Sequence, residues 1–380
     1  MLNKEEIRRY SRHLKLDDFG LRGQESLKSS KVLVIGAGGL GSPCLLYLAA
    51  AGVGTIGIID ADTVDESNLQ RQIVHNTSTV GKLKVESAAT TLSKLNPLIT
   101  IETYAEFLSA DNALDLFSQY DLIIDGCDSL AVRYLINDAC VKLSKPFVYG
   151  SIYRFDGQIS ILATENGPCY RCLYPEPPES IPSCSEAGVL GVLPGIIGVT
   201  QATEAIKYLA GMGKPLVGQL LLMDALTNEY STLSIKKDPQ CPACGHWSLQ
   251  HLGDTPDISC EVANPVKSDR ELEPAHVPRY IQDNGAVLID VRHDYEFQYS
   301  SLPGARHMSL AEILAGKYDE ELLELSKDPI VLYCLGGVRS MKALNHICKI
   351  SEDKGPVTIH SMSGGIKKWA KEVESIEYFQ

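Results

Sequence analysis

The chain has 380 residues, 44% of them hydrophobic and 22% charged, and its 35 basic and 48 acidic residues give a formal net charge of −13. Such a composition excludes disordered, collagen-like and coiled-coil classes, and the acidic balance argues against a broad face for DNA or RNA. No run approaches roughly 18 uninterrupted apolar residues, and the N-terminal MLNKEEIRRYSRHLKLDDFG has no apolar core of signal-peptide length, so a cytoplasmic protein off the membrane is expected.

A length of 380 residues favours two domains, since single cores stop growing near 250–300 residues. Lys31–Gly36 is a short β-branched run ending in glycines, and Ser42–Ala51 then has helix-forming composition, which predicts strand, turn and helix. Strands follow at Thr55–Asp60 and Leu122–Asp125, with a helix over Lys84–Leu95 between them. That alternation predicts an α/β fold with a doubly wound, Rossmann-like and mostly parallel sheet. Pro146–Gly150, Gly157–Leu162 and Gly218–Asp224 continue the sheet, and Ile196–Leu209 reads as a buried helix capped by Gly211.

Beyond Cys244 the apolar periodicity fades, so 246–270 is expected to be a linker between a first domain over 1–245 and a smaller α/β domain over 271–380. Within that domain, strands are predicted at Ala286–Asp290 and Ile330–Tyr333, and helices at Leu310–Ala315 and Ser340–Ile350. Eleven cysteines in a long chain without a leader point to metal and catalysis rather than to a disulfide framework, with Cys44, Cys140 and Cys348 as core residues.

Three groups of residues carry chemistry. The first is GAGGLG at Gly36–Gly41: Gly36, Gly38, Gly39 and Gly41 stand between a predicted strand and helix, where backbone N–H groups can approach phosphate oxygens. Asp60 stands where a ribose-binding acid belongs, and NAD is the competing ligand on these features alone. The polar segment Asp60–Gln72 and the lysines of Val80–Lys84 favour a triphosphate attacked at its α-phosphorus, where cations stabilise charge and magnesium needs oxygen ligands.

The second group is Cys169-Tyr-Arg-Cys172 with Cys241-Pro-Ala-Cys244. One pair alone would leave a redox CxxC open. Two such knuckles match a closed tetrahedral site for a structural zinc. Between them, Cys184 lies in the Gly/Ser/Pro-rich segment Pro182–Val189, an expected mobile loop over the nucleotide with an exposed thiol.

The third group is Cys334-Leu-Gly-Gly-Val-Arg-Ser340, between a predicted strand and helix. Successive N–H groups and the positive helix end there can stabilise a thiolate or persulfide, with Arg339 adding charge and ordering the loop. Asp290 and Arg292 are read as a structural ion pair bracing that loop.

RYSRHLKL, GAGGLGSP, DADTVDESNLQRQ, VGKLKVESA, PCYRC and CPAC together resemble the MoeB/ThiF branch of ubiquitin-activating-type adenylating enzymes, over about residues 1–245. The resemblance implies ATP and magnesium, with Asp60 on the ribose, Asn68, Arg71 and Lys84 on the phosphates, and Asp128 near magnesium and the α-phosphate. It also implies that Arg12 reaches the neighbouring subunit's nucleotide, hence a homodimer, and that the residue matching Cys184 takes part in covalent or disulfide chemistry in some members. Leu288–Phe297, Leu302–His307, Cys334–Ser340 and Ser363–Trp369 resemble rhodanese over about 271–380, and the presence of the loop cysteine implies a competent sulfurtransferase.

The expected function is ATP-dependent adenylation of the C-terminal glycine of a small ubiquitin-like sulfur carrier ending in Gly-Gly. Sulfur transfer from a Cys334 persulfide then gives a thiocarboxylate, the sulfur coming from thiosulfate or a cysteine desulfurase persulfide. Two alternatives are an NAD-dependent oxidoreductase with a sulfur-handling appendage, resting on GAGGLG and Asp60 alone, and a non-catalytic scaffold, against which Arg71, Asp128 and Cys334 speak. Molybdopterin, thiamine, cysteine and thiolated tRNA all stay open as destinations of the sulfur.

Overall fold

Val32, Leu33, Val34 and Ile35 alternate between two apolar cores, and this alternation organises the first sheet. Val32 and Val34 pack with Leu45, Leu48, Ile56 and Ile124 on one face, while Leu33 and Ile35 pack with Phe117, Ile123, Tyr134 and Ile136 on the other. A parallel sheet covered on both faces produces such continuous β-branched runs. The computed structural model describes residues 1–176, 188–253, 270–351 and 357–378, and these form two compact units drawn from 1–260 and 261–380.

The first unit holds β1 (Lys31–Ile35), β2 (Thr55–Ile59), β3 (Thr100–Tyr104), β4 (Leu122–Asp125), β5 (Phe147–Tyr153), β6 (Asp156–Leu162), β7 (Gln219–Asp224) and β8 (Glu229–Ser234). Their order is β3-β2-β1-β4-β5-β6-β7-β8, parallel from β3 to β5 and antiparallel thereafter. Helix Gly41–Ala51 is largely buried between the sheet and helix Val192–Ala210. The latter ends at Gly211 in a left-handed cap, as its sequence predicts.

Two strands carry no readable pattern in the sequence. β3 shows no clean alternation of buried residues, and all six residues of β8 are exposed, so neither has an apolar face to announce it. Among the described residues no helix is long and apolar enough to cross a membrane.

The second unit is a parallel sheet in the order β11-β10-β12-β13-β9, from β9 (Glu271–Leu272), β10 (Val287–Asp290), β11 (Arg306–His307), β12 (Ile330–Tyr333) and β13 (Ile359–Met362). Ile289 and Leu332 face one core, Leu288, Val331 and Tyr333 the other. Most of the expected linker, residues 254–269, lies outside the described residues.

At the end of β10, Asp290 and Arg292 form the ion pair that the sequence suggests, both fully buried. Arg292 Nε lies 3.0 Å from each Asp290 oxygen, Nη2 donates at 2.6 Å to Asp290 Oδ2 and at 2.6 Å to the Ser300 carbonyl, and the guanidinium lies 5.6 Å from the Tyr333 ring centre. Asp290 is in register with Tyr333, the residue before Cys334. Replacing Asp290 by Ala leaves a buried guanidinium without its counter-ion and is expected to cost about 3–5 kcal/mol. Hydrogen exchange of the β12 amides in the full-length chain measures it, and a loss below about 1 kcal/mol would remove the pair as the brace of this loop.

Candidate functional site

β1 connects to β2 and β3 on one side of the first sheet, and β4 and β5 lie on the other, so a crevice opens beyond the carboxyl ends of β1 and β4. The turns after these strands meet there without side chains. A Cβ on Gly41 would lie 2.0 Å from the Gly36 carbonyl oxygen, and one on Gly36, whose φ is +93°, would lie 2.9 Å from the Gly126 oxygen. Only glycine permits this approach.

The peptide of Ala37 is held from both ends. Its N–H donates to Asp60 Oδ2 at 2.9 Å, and its carbonyl lies 2.9 Å from His75 Nε2. A carbonyl only accepts, so Nε2 carries the proton and Nδ1 accepts from Ser87 Oγ at 2.9 Å. Burial pushes the His75 pKa below its ordinary value against the opposing Ala37 hydrogen bond, and the nearby Lys84 charge lowers it further. Asp60 uses its other oxygen to accept the Asp62 N–H at 2.9 Å.

Several candidate residues gather around this loop. Gly38 faces Gln72 Nε2, 3.8 Å from the position of an added Cβ, and Gly39 faces Pro194 at 3.2 Å with the Arg71 side chain behind it at 3.7 Å. Arg71 Nη1 donates to the Ser67 carbonyl at 3.1 Å, and Asn68 closes the cap of a short turn with Asp65. Lys84 is buried and paired with the exposed carboxylate of Asp62 at 2.8 Å, so in this structure its ammonium is engaged by that carboxylate. Asp128 is exposed just after β4, and Arg12 is exposed on the turn before His13–Lys15. Cys184 lies outside the described residues.

Asp125 and Arg133 were not singled out from the sequence. Asp125 is fully buried at the end of β4 and accepts from Arg133 Nε at 2.8 Å and from the Cys127 thiol at 2.9 Å. Arg133 also donates to the carbonyls of Cys127 and Gly150, tying the turn that carries Asp128 to β5. The usable signal was a lone Arg in the otherwise apolar stretch Leu130–Ile136, which periodicity alone does not assign to a partner.

Cys169, Cys172, Cys241 and Cys244 place their four sulfurs within 4.8 Å of one another, and among the described residues this is the one cluster of ligating side chains that could hold a metal. Sulfur separations of 3.9, 3.6 and 3.3 Å bracket the roughly 3.8 Å that a tetrahedral zinc with sulfurs near 2.3 Å requires. The Asp238 N–H points at Cys172 Sγ. Such a set is suited to bind zinc structurally, all four positions being protein sulfur. The first knuckle is anchored by Arg171, whose Nε and Nη2 grip the buried Asp138 at 2.8 Å each.

In the second unit Cys334 follows β12 and is buried. Its sulfur accepts the Gly337 N–H at 3.1 Å and lies 3.6 Å from Ser340 Oγ, at the start of helix Val338–Ile350. Arg339 does not reach toward the sulfur as a free cation. It grips Glu296 with both terminal nitrogens, at 2.6 and 2.8 Å, and Glu296 also accepts the His293 N–H. Burial, the largest single effect, would raise the Glu296 pKa, but the Arg339 hydrogen bonds, the His293 N–H and the charges of Arg339 and Arg292 together hold the carboxyl below its ordinary value. The signal for Glu296 in the sequence was its place three residues after His293, as in a capping box.

Residues 10–243 match the ThiF family. The chain belongs to that family. Residues 273–372 of this ThiF-family chain match the rhodanese-like domain. It is 45% identical over 385 residues to the probable adenylyltransferase/sulfurtransferase MoeZ of Mycobacterium tuberculosis, covering 98% of this chain and 95% of the relative. Adenylyltransferase and sulfurtransferase MOCS3 of Drosophila ananassae is 39% identical over 98% of this chain and 85% of its own. A sulfur carrier protein adenylyltransferase of Thermus thermophilus is 50% identical over 249 residues, 64% of this chain and 92% of its own. The crystal structure of E. coli MccB shares the fold at a TM-score of 0.57 and 22% identity, over 66% of this chain and 77% of that one. The ThiF-family chain is thus an enzyme of the adenylyltransferase and sulfurtransferase type.

Two outcomes follow from this geometry. His75 is harder to protonate folded than unfolded, so its contribution to stability is present above about pH 6.5 and is lost as pH falls below it. Thermal unfolding between pH 7 and 5 is expected to show that slope, and His75→Gln, which retains a donor for the Ala37 carbonyl, to flatten it; an unchanged slope would assign the loss to other groups. Metal analysis of the purified chain is expected to find about one zinc, and Cys241→Ser to lose most of it.

Proposed function

We propose that the enzyme uses ATP to adenylate the C-terminal glycine of a small ubiquitin-like sulfur carrier protein and then sulfurates the activated carboxylate from Cys334. The observation that carries this reading is the bare backbone of Gly38 and Gly39 at the β1/β4 crevice, with Gln72 near the first and Pro194 and Arg71 near the second, in a chain that also holds a cysteine in an N–H cradle.

In the first step the carrier carboxylate attacks the α-phosphorus, an acyl adenylate forms and pyrophosphate leaves. Loop N–H groups and Arg71 take up the developing negative charge, with Asn68 and Lys84 beside them, and Asp60 holds the ribose while also ordering Ala37. Asp128 supplies an oxygen ligand for magnesium. The carrier's Gly-Gly end suits a narrow approach, since residues without side chains thread close to the phosphates.

In the second step Cys334, loaded with a sulfane sulfur from a donor of the thiosulfate or cysteine desulfurase class, attacks the acyl carbon through its terminal sulfur and AMP leaves. A second thiol, assigned to Cys184, cleaves the resulting acyl disulfide, releasing the thiocarboxylate and leaving a disulfide with Cys334 for external thiols to reduce. The four cysteines hold zinc, the enzyme works in the cytoplasm as a homodimer with Arg12 at the neighbouring nucleotide, and residues 246–270 tether the sulfur site at high local concentration.

Support comes from the ThiF and rhodanese-like matches in one chain and from a relative whose name specifies a sulfur carrier protein as the adenylation substrate. Arg71→Ala is expected to lower carrier-dependent exchange of pyrophosphate into ATP by about two orders of magnitude or more, and undiminished exchange would refute the assignment. Cys334→Ala is expected to retain the exchange and to form no thiocarboxylate by mass spectrometry of the carrier.

A further inference from the structure

We propose that Glu296 determines which sulfur donors load Cys334, by cancelling the charge of Arg339 and so disfavouring donors that bring two negative charges. The inference rests on the reading of Cys334 as the residue that accepts sulfur.

The loop Cys334–Ser340 contains one ionisable cation, Arg339, and the other residues between the cysteine and Ser340 are Leu335, Gly336, Gly337 and Val338. Glu296 is 3% exposed and accepts three hydrogen bonds, two from the Arg339 fork and one from the His293 N–H. A carboxylate so surrounded stays ionised, and the pair is neutral as a unit. Of the other loop side chains, Val338 is 54% exposed and Leu335 partly so, both apolar, and the one cation, Arg339, is 27% exposed but held by Glu296. The polar contacts at the sulfur are the Gly337 N–H and the Ser340 hydroxyl.

Dipoles of this kind favour an anionic sulfur on Cys334. Stripping water from a second and third negative charge in the same place needs a cation free to respond, and Glu296 has already engaged the loop's one guanidinium. The favoured donor is a sulfane sulfur carrying at most one negative charge, such as a persulfide on a cysteine, and thiosulfate is the disfavoured one. The Cys334 thiolate attacks the donor's outer sulfur, a new S–S bond forms, the donor's own S–S bond breaks, and the donor leaves as a thiolate with that electron pair and takes up a proton. No oxidant or reductant is required.

The test uses the full-length enzyme and two donors of like chemistry that differ by one charge, the methanethiosulfonate anion and thiosulfate. Each donates a sulfane sulfur and leaves as an oxidised sulfur anion. First-turnover loading is followed as the gain of one sulfur atom on the Cys334 peptide, and the quantity read is the ratio of kcat/KM for methanethiosulfonate to that for thiosulfate. Glu296→Gln is expected to lower this ratio by about tenfold. Val338→Lys, at an exposed position, keeps the test available should the first variant fold poorly; it is expected to lower the ratio in the same direction, with the effect shrinking as salt is raised. A folded Glu296→Gln enzyme with the native ratio, or a Val338→Lys enzyme with the native ratio, overturns the proposal. Failure of either donor to place sulfur on Cys334 instead takes away the sulfur step of the proposed function, and this inference with it.

Discussion

The close approach of the turns after β1 and β4 is the constraint from which the first unit's site follows. With Gly41 packed onto the Gly36 carbonyl and Gly36 onto Gly126, the helix starting at Gly41 begins directly over the strand ends. A methyl group at position 41 would have to push the helix away from the sheet, and every residue whose role depends on the loop, from Asp60 to Arg71, would lose its reference point. Clamping the Ala37 peptide by Asp60 on one side and His75 on the other keeps this short loop in a single conformation. Preorganised N–H groups stabilise developing charge without having to reorient during reaction.

Buried ion pairs perform the same service at four places. Asp125 with Arg133 ties the turn after β4 to β5, Asp138 with Arg171 anchors the first cysteine knuckle, Asp290 with Arg292 braces the strand beside Cys334, and Glu296 with Arg339 closes its loop. Arg171 and Arg339 each grip both oxygens of one carboxylate, and Arg133 and Arg292 reach backbone carbonyls as well, tasks that a planar fork suits better than lysine would. Such pairs contribute little net stability relative to apolar packing, but losing one partner is costly. Their value here is geometric, because each fixes the backbone of the turn or knuckle beside it.

Much of the fold was readable because the parallel strands are short β-branched runs and the helices between them have clear apolar spacing. The glycine loop, the helix Lys84–Leu95 and the strand before Cys334 all stand where those patterns put them. In the first unit β3 and β8 escaped because neither buries a full face, and in the second β9, β11 and β13 escaped because runs of two to four residues are too short to show a period. The paired knuckles were legible as a metal set, and their sulfurs do converge. By contrast, the partners of His75, Arg133 and Glu296 were not legible, because each is a single polar residue whose partner lies far away in the chain or on another element.

From the order of residues alone came the two-unit plan, the phosphate-type loop, the four-cysteine set and the sulfur loop, because each is written in local spacing that backbone geometry converts directly into shape. Only the folded chain decided that His75 holds the Ala37 carbonyl, that Lys84 is engaged by Asp62, and that Arg339 is neutralised by Glu296. These are contacts between groups 22 to 43 residues apart, and charge pairing in a protein interior depends on distance and burial, which no local pattern encodes.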